Sequence, residues 1–510
     1  MKIYIKKYLP LILVVIFFAA TLFFYENKIF EIHFVDEEEN IILGSYILRG
    51  EKLYSDLFSQ HQPLGYILSA AVQKVFQPQN IFMLIKRHRE VVFLWSFMWS
   101  LLLVGRFGIP LLGFTFLFEL TKFYLFGNMF LAESLVVYPL IFLSSLFFLS
   151  ERKMGKFESF FIGVSVGISL LLLLPIWPLV LFLLVILLSF VIKSSPKNIL
   201  FLIAGCLIVV AFCLPFLSLR DYFYSTFYIN LKYSVNDKAN NPTFNLLNSF
   251  ITPFLAFSSK LSATPILYIT RILSLILIIG LTFLIKKKKY LFSLLIIIIL
   301  GLGNLRYIKP DVLYYGGFHR APWYALLILL TSIVAYKIFS WKKSEYFKAL
   351  VTIIVIYLIF TTGKFLSKDL FRKRDAANDF YINYSRQFDY GEAVKIMKDS
   401  NEKLLVIPDE FLIYWQSGAP HASKYIFFYP WMMEVPGLYK EIENLFAVSP
   451  PVYFYCNCEG MKVKPLTKNY LALRKFGSPT QLYVLPQKVE QLSQDKLSAL
   501  KYYHFEFVDK

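Results

Sequence analysis

The sequence predicts a polytopic α-helical membrane protein of about eleven crossings with a small extracytoplasmic α/β domain at its C-terminus. Three observations predict it: more apolar residues than one soluble core can bury, apolar runs of membrane-spanning length, and basic residues gathered between those runs.

Of 510 residues, 57% are hydrophobic and only 17% charged, a balance outside the range of an ordinary soluble domain. The runs Asn198–Leu217 and Ala263–Ile285 each supply about 20 predominantly apolar positions, enough to cross roughly 30 Å of hydrocarbon. Such runs must be helical, because lipid cannot satisfy backbone polar groups. The net charge of +19 sits in short clusters: Lys2, Lys6 and Lys7; Arg152, Lys153 and Lys156; Lys193 and Lys197; Lys286 to Lys289; Lys342, Lys343 and Lys348. That placement marks cytoplasmic loops by the positive-inside rule and argues against nucleic-acid binding. The first span, Tyr8 to Tyr25, follows a basic flank but no small-residue cleavage pattern succeeds it, so it reads as a retained helix. Cys456 and Cys458 flank one residue with no further ligands nearby, weak ground for a metal site, and Cys206 and Cys213 share one span.

About twelve apolar segments meet or approach span length. They begin near Tyr8, Leu64, Val91, Ile109, Ser134, Phe157, Ile176, Asn198, Ala263, Tyr290, Ala321 and Phe347. "PIWP" at Pro175–Pro178 divides the long stretch from Phe157 to Ile192 into two spans. With the basic clusters inside, the loops Glu26–Pro63, Leu219–Leu261 and Arg306–Arg320 and everything after Lys364 fall outside. An inside start and an outside end require an odd number of crossings, so one candidate does not cross. It is either the short Leu64–Phe76 or Ile109–Phe126, which carries Glu119 and Lys122 at a spacing that lets them face each other. The cluster Lys86–Arg89, placed in the cytoplasm, favours the second.

Composition changes after Lys364, which divides a membrane domain (1–364) from a soluble α/β domain (365–510). The runs Lys403–Pro408, Pro451–Cys456 and Gln481–Pro486 read as strands and Asp389–Asp399 as helix. The aromatic segment Tyr425–Tyr439 reads as core, with a saccharide or membrane contact as the other reading.

The stretch richest in chemistry is His33–Leu68, "HFVDEEENIILGSYILRGEKLYSDLFSQHQPLGYIL". Asp36, Glu37, Glu38 and Glu39 follow a span directly; four acids there either solvate a helix end, or position a carboxylate to take a proton from a hydroxyl or hold a cation beside a phosphate. An amphipathic helix ended by Gly50 follows, suited to lie along the interface, and then a compact polar link containing Tyr54, Asp56, His61 and Pro63.

The order of span, acidic pair, amphipathic helix, "G-x-x-L-Y-x-D-x-F-x-x-H-x-P-L" at Gly50–Leu64 and many further spans resembles the GT-C glycosyltransferases, nearest to the protein O-mannosyltransferase and lipid A aminoarabinose transferase group. The resemblance covers roughly the first two-thirds of the chain. It implies transfer of a sugar, with inversion, from a polyprenyl-phosphate donor to a glycan, lipid or protein acceptor on the extracytoplasmic face. It makes Asp36 the catalytic base with Glu37 beside it, and Tyr54, Asp56 and His61 the pocket wall. Gln62 stands where the family motif has a second proline. Glu133, in "LAESLVVYPL", matches a second acid common in the family, and reads otherwise as a carboxylate capping the next helix. Arg306 and His319 are implied as phosphate-facing groups, with Arg320 and Lys309 as alternates; the other reading of Lys309 and Arg320 is snorkelling toward lipid headgroups. If a divalent metal such as Mg²⁺ or Mn²⁺ is used, Asp36 and Glu38 have the spacing to hold it. A transporter or flippase for lipid-linked saccharides is the alternative, and a non-catalytic partner in envelope assembly a third reading. The sequence shows no internal repeat, and most of its notable charges lie in outer loops rather than mid-span, which favours the enzyme.

Overall fold

The computed structural model describes residues 2–150, 153–234, 242–258, 264–306, 317–341, 345–370, 374–478 and 481–508. Arg152, Lys309, Lys342 and Lys343 lie outside the described residues. The helices in chain order are α1 (Lys2–Lys28), α2 (Val35–Leu48), α3 (Leu64–Phe76), α4 (Ile81–Phe107), α5 (Ile109–Thr121), α6 (Ala132–Leu149), α7 (Lys156–Leu172), α8 (Trp177–Ser194), α9 (Asn198–Cys213) and α10 (Leu219–Phe223). They continue with α11 (Pro242–Leu255), α12 (Pro265–Lys286), α13 (Tyr290–Leu302), α14 (Ala321–Ser340), α15 (Glu345–Leu370), α16 (Ala376–Met397), α17 (Leu412–Ser417), α18 (Pro436–Val448), α19 (Pro486–Glu490) and α20 (Gln494–Tyr502). The chain divides into two compact units, one of Met1–Ile29, Arg89–Cys213 and Ala239–Arg374, the other of Phe30–His88, Leu214–Lys238 and Asp375–Lys510.

The first unit is helical. Among the described residues, eight helices are long and apolar enough to cross a membrane, carried by α1, α4, α6, α8, α9, α12, α14 and α15. Both segments that compete to be the non-crossing one, α3 in the second unit and α5 here, are helices of 13 residues, about 20 Å long at the α-helical rise. The expected run Ile109–Phe126 is broken: α5 stops at Thr121 and a 3₁₀ turn covers Lys122–Leu125. The "PIWP" break is where the prolines require it, with a 3₁₀ turn at Leu174–Ile176 before α8 starts. Helices α7 and α9 pack backbone to backbone. A Cβ on Gly163 would sit 1.9 Å from the Leu202 carbonyl oxygen and one on Gly205 2.1 Å from that of Phe160, so only glycine allows the approach.

Near the end of α5, Glu119 and Lys122 form a fully buried ion pair of 2.8 Å, as their spacing predicts. Tyr25 donates to Glu119 Oε2 at 2.5 Å and Tyr138 donates to Oε1, while the Lys122 ammonium donates to Ser96 Oγ at 2.8 Å. Each charge thus has close partners from α1, α4 and α6, which is what a buried pair needs to hold its place.

The second unit is built on a five-stranded sheet, β1 (Leu404–Ile407), β2 (Tyr453–Cys456), β3 (Leu471–Lys475), β4 (Gln481–Val484) and β5 (Phe505–Val508), in spatial order β1-β2-β4-β3-β5. Only β1 and β2 pair in parallel, joined by a crossover through α17 and α18. Cys456 and Cys458, at the end of β2, are joined as a disulfide.

The first loop folds with this sheet unit. Helix α2 starts at Val35, so the four acids open a helix instead of preceding one, and carboxylates in a first turn are favoured by the peptide dipoles. Nor does α2 lie as an amphipathic surface helix: Glu37 to Glu39 and Ile41 to Ile47 are all buried. Helix α3 covers one side so closely that a Cβ on Gly44 would lie 2.6 Å from Ser69 Oγ. The C-terminal segment covers another: Tyr46 donates to the Ala419 carbonyl at 3.3 Å, Phe58 N–H to Lys424 O at 2.9 Å, and Asn383 Nδ2 to Phe30 O at 2.8 Å. Burial of Ile41, Ile42, Leu43 and Ile47 stabilises this arrangement by about 1.5–3 kcal/mol per side chain.

Candidate functional site

Two polar centres carry the residues singled out by the sequence, one in each unit. In the second unit Asp36 is half-buried in the first turn of α2, its main-chain carbonyl accepting from Asn40 Nδ2 at 2.9 Å. Glu37 is buried beside it, within electrostatic reach of His88. Glu38 is also buried and its Oε1 lies 2.6 Å from His33 Nε2, while Oε2 has no hydrogen-bond partner among the described residues. Burial pushes the Glu38 carboxyl up to about 7 despite the pull of His33. For His33, burial opposes the charge, but Glu38, by field and hydrogen bond, and then Glu410 and Asp409 carry the imidazole up to about 9.

The C-terminal segment supplies residues here that no local reading would find. Gln387 of α16 reaches His33 Nε2 at 2.9 Å and donates to Glu410, which also accepts from Arg386 at 3.3 Å. Burial, then Glu410, raises the Asp409 carboxyl to about 6. Tyr429 has its phenol held well above the ordinary range by burial and then by the fields of Glu39, Asp36, Asp409 and Glu38. These partners stand hundreds of residues from His33, and nothing in their neighbours' composition signals the pairing.

The polar link forms a wall around Glu39. That carboxylate accepts from Tyr66 at 2.7 Å and from Ser59 at 3.2 Å, and burial outweighs both bonds to raise it to about 7. His61 is exposed with Nε2 3.9 Å from Glu39 Oε2. Tyr54 donates to the His61 carbonyl at 2.9 Å and sits at φ 75°, a left-handed conformation that is strained for a bulky residue. Asp56 is turned elsewhere: it is exposed and accepts from Lys52 N–H at 2.9 Å, closing its own turn. Gln62, at the motif's point of departure, accepts from Tyr222 at 2.8 Å.

In the first unit, Glu133 lies in the first turn of α6, which starts at Ala132, two residues before the expected start. His319 Nδ1–H donates to Glu133 Oε1 at 2.6 Å, and Arg306 Nη1 lies 3.1 Å from the same ring nitrogen. The bond to Glu133 fixes the imidazole plane, with its other nitrogen on the opposite edge. These residues, with Pro175, Ile176, Asn304 and Pro322, line a recess of about 20 Å³, room for a water-sized group and not for a sugar ring. Arg320 is fully buried and so does not snorkel.

Asp36 and Glu38 would be the residues to hold a divalent metal if one is used. Glu38 is turned to His33, and among the described residues no three His, Cys, Asp or Glu side chains are grouped to hold an ion.

The helical order with its appended sheet is the GT-C fold, and the protein is a multi-pass membrane protein of that architecture. Among solved structures the chain is similar in fold to ArnT from Cupriavidus metallidurans in the apo state. The match covers 92% of this chain and 97% of that one, with a TM-score of 0.52 and 12% sequence identity, a likeness of fold. No protein-family profile and no curated protein sequence matches the chain.

Proposed function

We propose that the protein is a glycosyltransferase that moves a sugar from a polyprenyl-phosphate donor to an acceptor hydroxyl on the extracytoplasmic face, with inversion. The observation that carries the reading is the Glu133–His319–Arg306 cluster within an ArnT-like fold. A carboxylate that orients a histidine beside an arginine is equipped to receive a phosphate as negative charge develops on it. An apolar cavity of about 900 Å³ in the same unit, lined by Gly113, Phe116, Leu117, Leu273, Ile276 and Leu358 among others, suits an isoprenoid chain.

In this reading Asp36 takes the proton of the acceptor hydroxyl as its oxygen attacks the anomeric carbon. The bond from that carbon to the phosphate oxygen breaks on the opposite side, inverting the centre. Polyprenyl phosphate departs with the bonding pair, its charge held by Arg306 and His319, while Glu133 keeps the imidazole in place. Glu37 lies beside the base, and Tyr54 and His61 form the pocket wall. The membrane part, 1–364, binds the donor, and 365–510 lies with Asp36 and Arg306 outside the cell membrane. The acceptor is a glycan, lipid or protein hydroxyl.

An alkyl hydroxyl is a poor nucleophile near neutral pH, so the base carries a large part of the rate. Asp36→Asn is expected to insert and fold normally while transfer from a radiolabelled polyprenyl-phosphate sugar falls by about 10²–10⁴-fold. Full transfer by that variant would sink the proposal.

A further inference from the structure

Residues Leu219–Ser234 form an amphipathic element that the sugar-transfer reading does not use. It begins as α10 and continues as a π-helix over Tyr224–Ser234. One face is buried, with Tyr222, Ser225, Thr226 and Ile229 turned inward. The other face is apolar and open: Leu219 is 55% exposed, Phe223 60%, Tyr224 47%, Tyr228 45% and Leu231 72%, with the cations Arg220 and Lys232 also exposed.

The inward face grips the polar link at several points. Leu53 N–H donates to Phe216 O at 2.9 Å and Ser218 N–H returns a bond to Leu53 O at 3.0 Å, just ahead of α10. The Tyr54 and Tyr222 rings meet edge to face at 5.3 Å. Tyr222 donates to Gln62 Oε1 at 2.8 Å, and Asn230 Nδ2 donates to the Gln60 carbonyl at 2.6 Å.

We propose that Leu219–Ser234 is a membrane-seated brace, its open face lying in the headgroup region of the bilayer and its inward face holding the Gln60–Gln62 segment in position. Chain continuity selects lipid as the occupant. The apolar helix that crosses as Asn198–Phe216 ends three residues before Leu219, and three residues reach at most about 10 Å, so the element starts at the bilayer edge. Its composition is that of an interfacial anchor: tyrosine and phenylalanine rings to sit among headgroups, and an arginine and a lysine to meet lipid phosphates. The bearing on catalysis rests on the reading that Tyr54 and His61 wall the active site; the seating and the grip do not.

The test uses the full chain in vesicles of phosphatidylethanolamine and phosphatidylglycerol doped with a phospholipid carrying a diazirine near the top of its acyl chain. After illumination and digestion, lipid adducts are expected on Phe223, Tyr224, Tyr228 or Leu231 at a yield comparable with that of the span ends. Adducts confined to the spans overturn the proposal, as do cross-links from this face to a second copy or another protein in place of lipid. The grip is read separately by Tyr222→Phe, which removes one hydroxyl. Amide exchange over residues 59–62 is expected to quicken about five-fold, the loss of one hydrogen bond, with lipid labelling unchanged. Unaltered exchange overturns the brace. Neither readout involves sugar transfer, so either can fail while the glycosyltransferase reading stands.

Discussion

Glu119 and Glu38 are both buried carboxylates beside a basic group, one in each unit, and they are finished differently. Around Glu119 both oxygens are met, by Lys122, Tyr25 and Tyr138, and the ammonium has its own further partner in Ser96. Around Glu38 one oxygen meets His33 and the other has no hydrogen-bond partner among the described residues. A saturated network fixes helices and gains nothing from a change of charge. An unsaturated one leaves protonation as the cheapest way to relieve burial. The first is architecture; the second neighbours the residue to which we assign the proton transfer.

The largest expected effect breaks the saturated side. Lys122→Met leaves Glu119 buried with its cation gone, and a loss of about 3–5 kcal/mol is expected, read as a fall in melting temperature in detergent. The paired change Lys122→Met with Glu119→Leu should recover most of it, because no orphan charge remains. A single variant as stable as the parent would mean the pair is not buried as described.

Next in size is His319→Ala. Removal of one preorganised donor to a developing oxyanion costs about 10²–10³ in turnover, and Glu133→Gln should lose part of the same factor by freeing the ring. Glu133 is buried, so His319→Ala is also expected to lower melting somewhat by removing its partner, and the assignment of roles rests on turnover falling far more than stability. Loss of stability with turnover intact would reverse the assignment of roles.

The unsaturated side predicts a pH slope. Between about 4.5 and 7 the folded chain keeps a proton on Glu38 that the unfolded chain has released. The His33 contribution is fully present below 6.5 and is lost as pH rises through about 9. In both windows the folded state binds more protons, so stability falls as pH rises. Glu38→Gln should flatten the profile of melting temperature from pH 5 to 9.5, and an unchanged slope would remove Glu38 from the account. The smallest effect is Tyr54→Phe, which loses the bond to the His61 carbonyl, about 1 kcal/mol, measurable as faster amide exchange in the link.

The spans were legible in the sequence because hydropathy is a property of a local window, and so was the break at Pro175–Pro178. The Glu119–Lys122 pair was legible because helical spacing alone brings the two together. Three of the five strands were visible as apolar β-type runs. Strand β3 was not, since "LALRK" ends in two charges, nor was β5, a four-residue strand at the sheet edge. The start of α2 was missed because a run of acids reads as solvated loop; acids in a first turn followed by an apolar run were the available signal. Glu133, His319 and Arg306 were named from resemblance and lie together, whereas Asp56 faces its own turn. Gln387, Glu410 and Tyr429 had no signal, because contacts across most of the chain leave no trace in local pattern.

The packing of α2 against the C-terminal segment also sets an order in time. Residues 30–88 leave the ribosome long before 375–510, and at roughly 5–20 residues per second the wait is tens of seconds. During that interval the early helices can enter the membrane while Glu38 and its neighbours lack the side chains that later bury them. The acid-bearing helix is completed only once residues 375–510 have been made, so the burial that lifts the Glu38 carboxyl is a late event in synthesis.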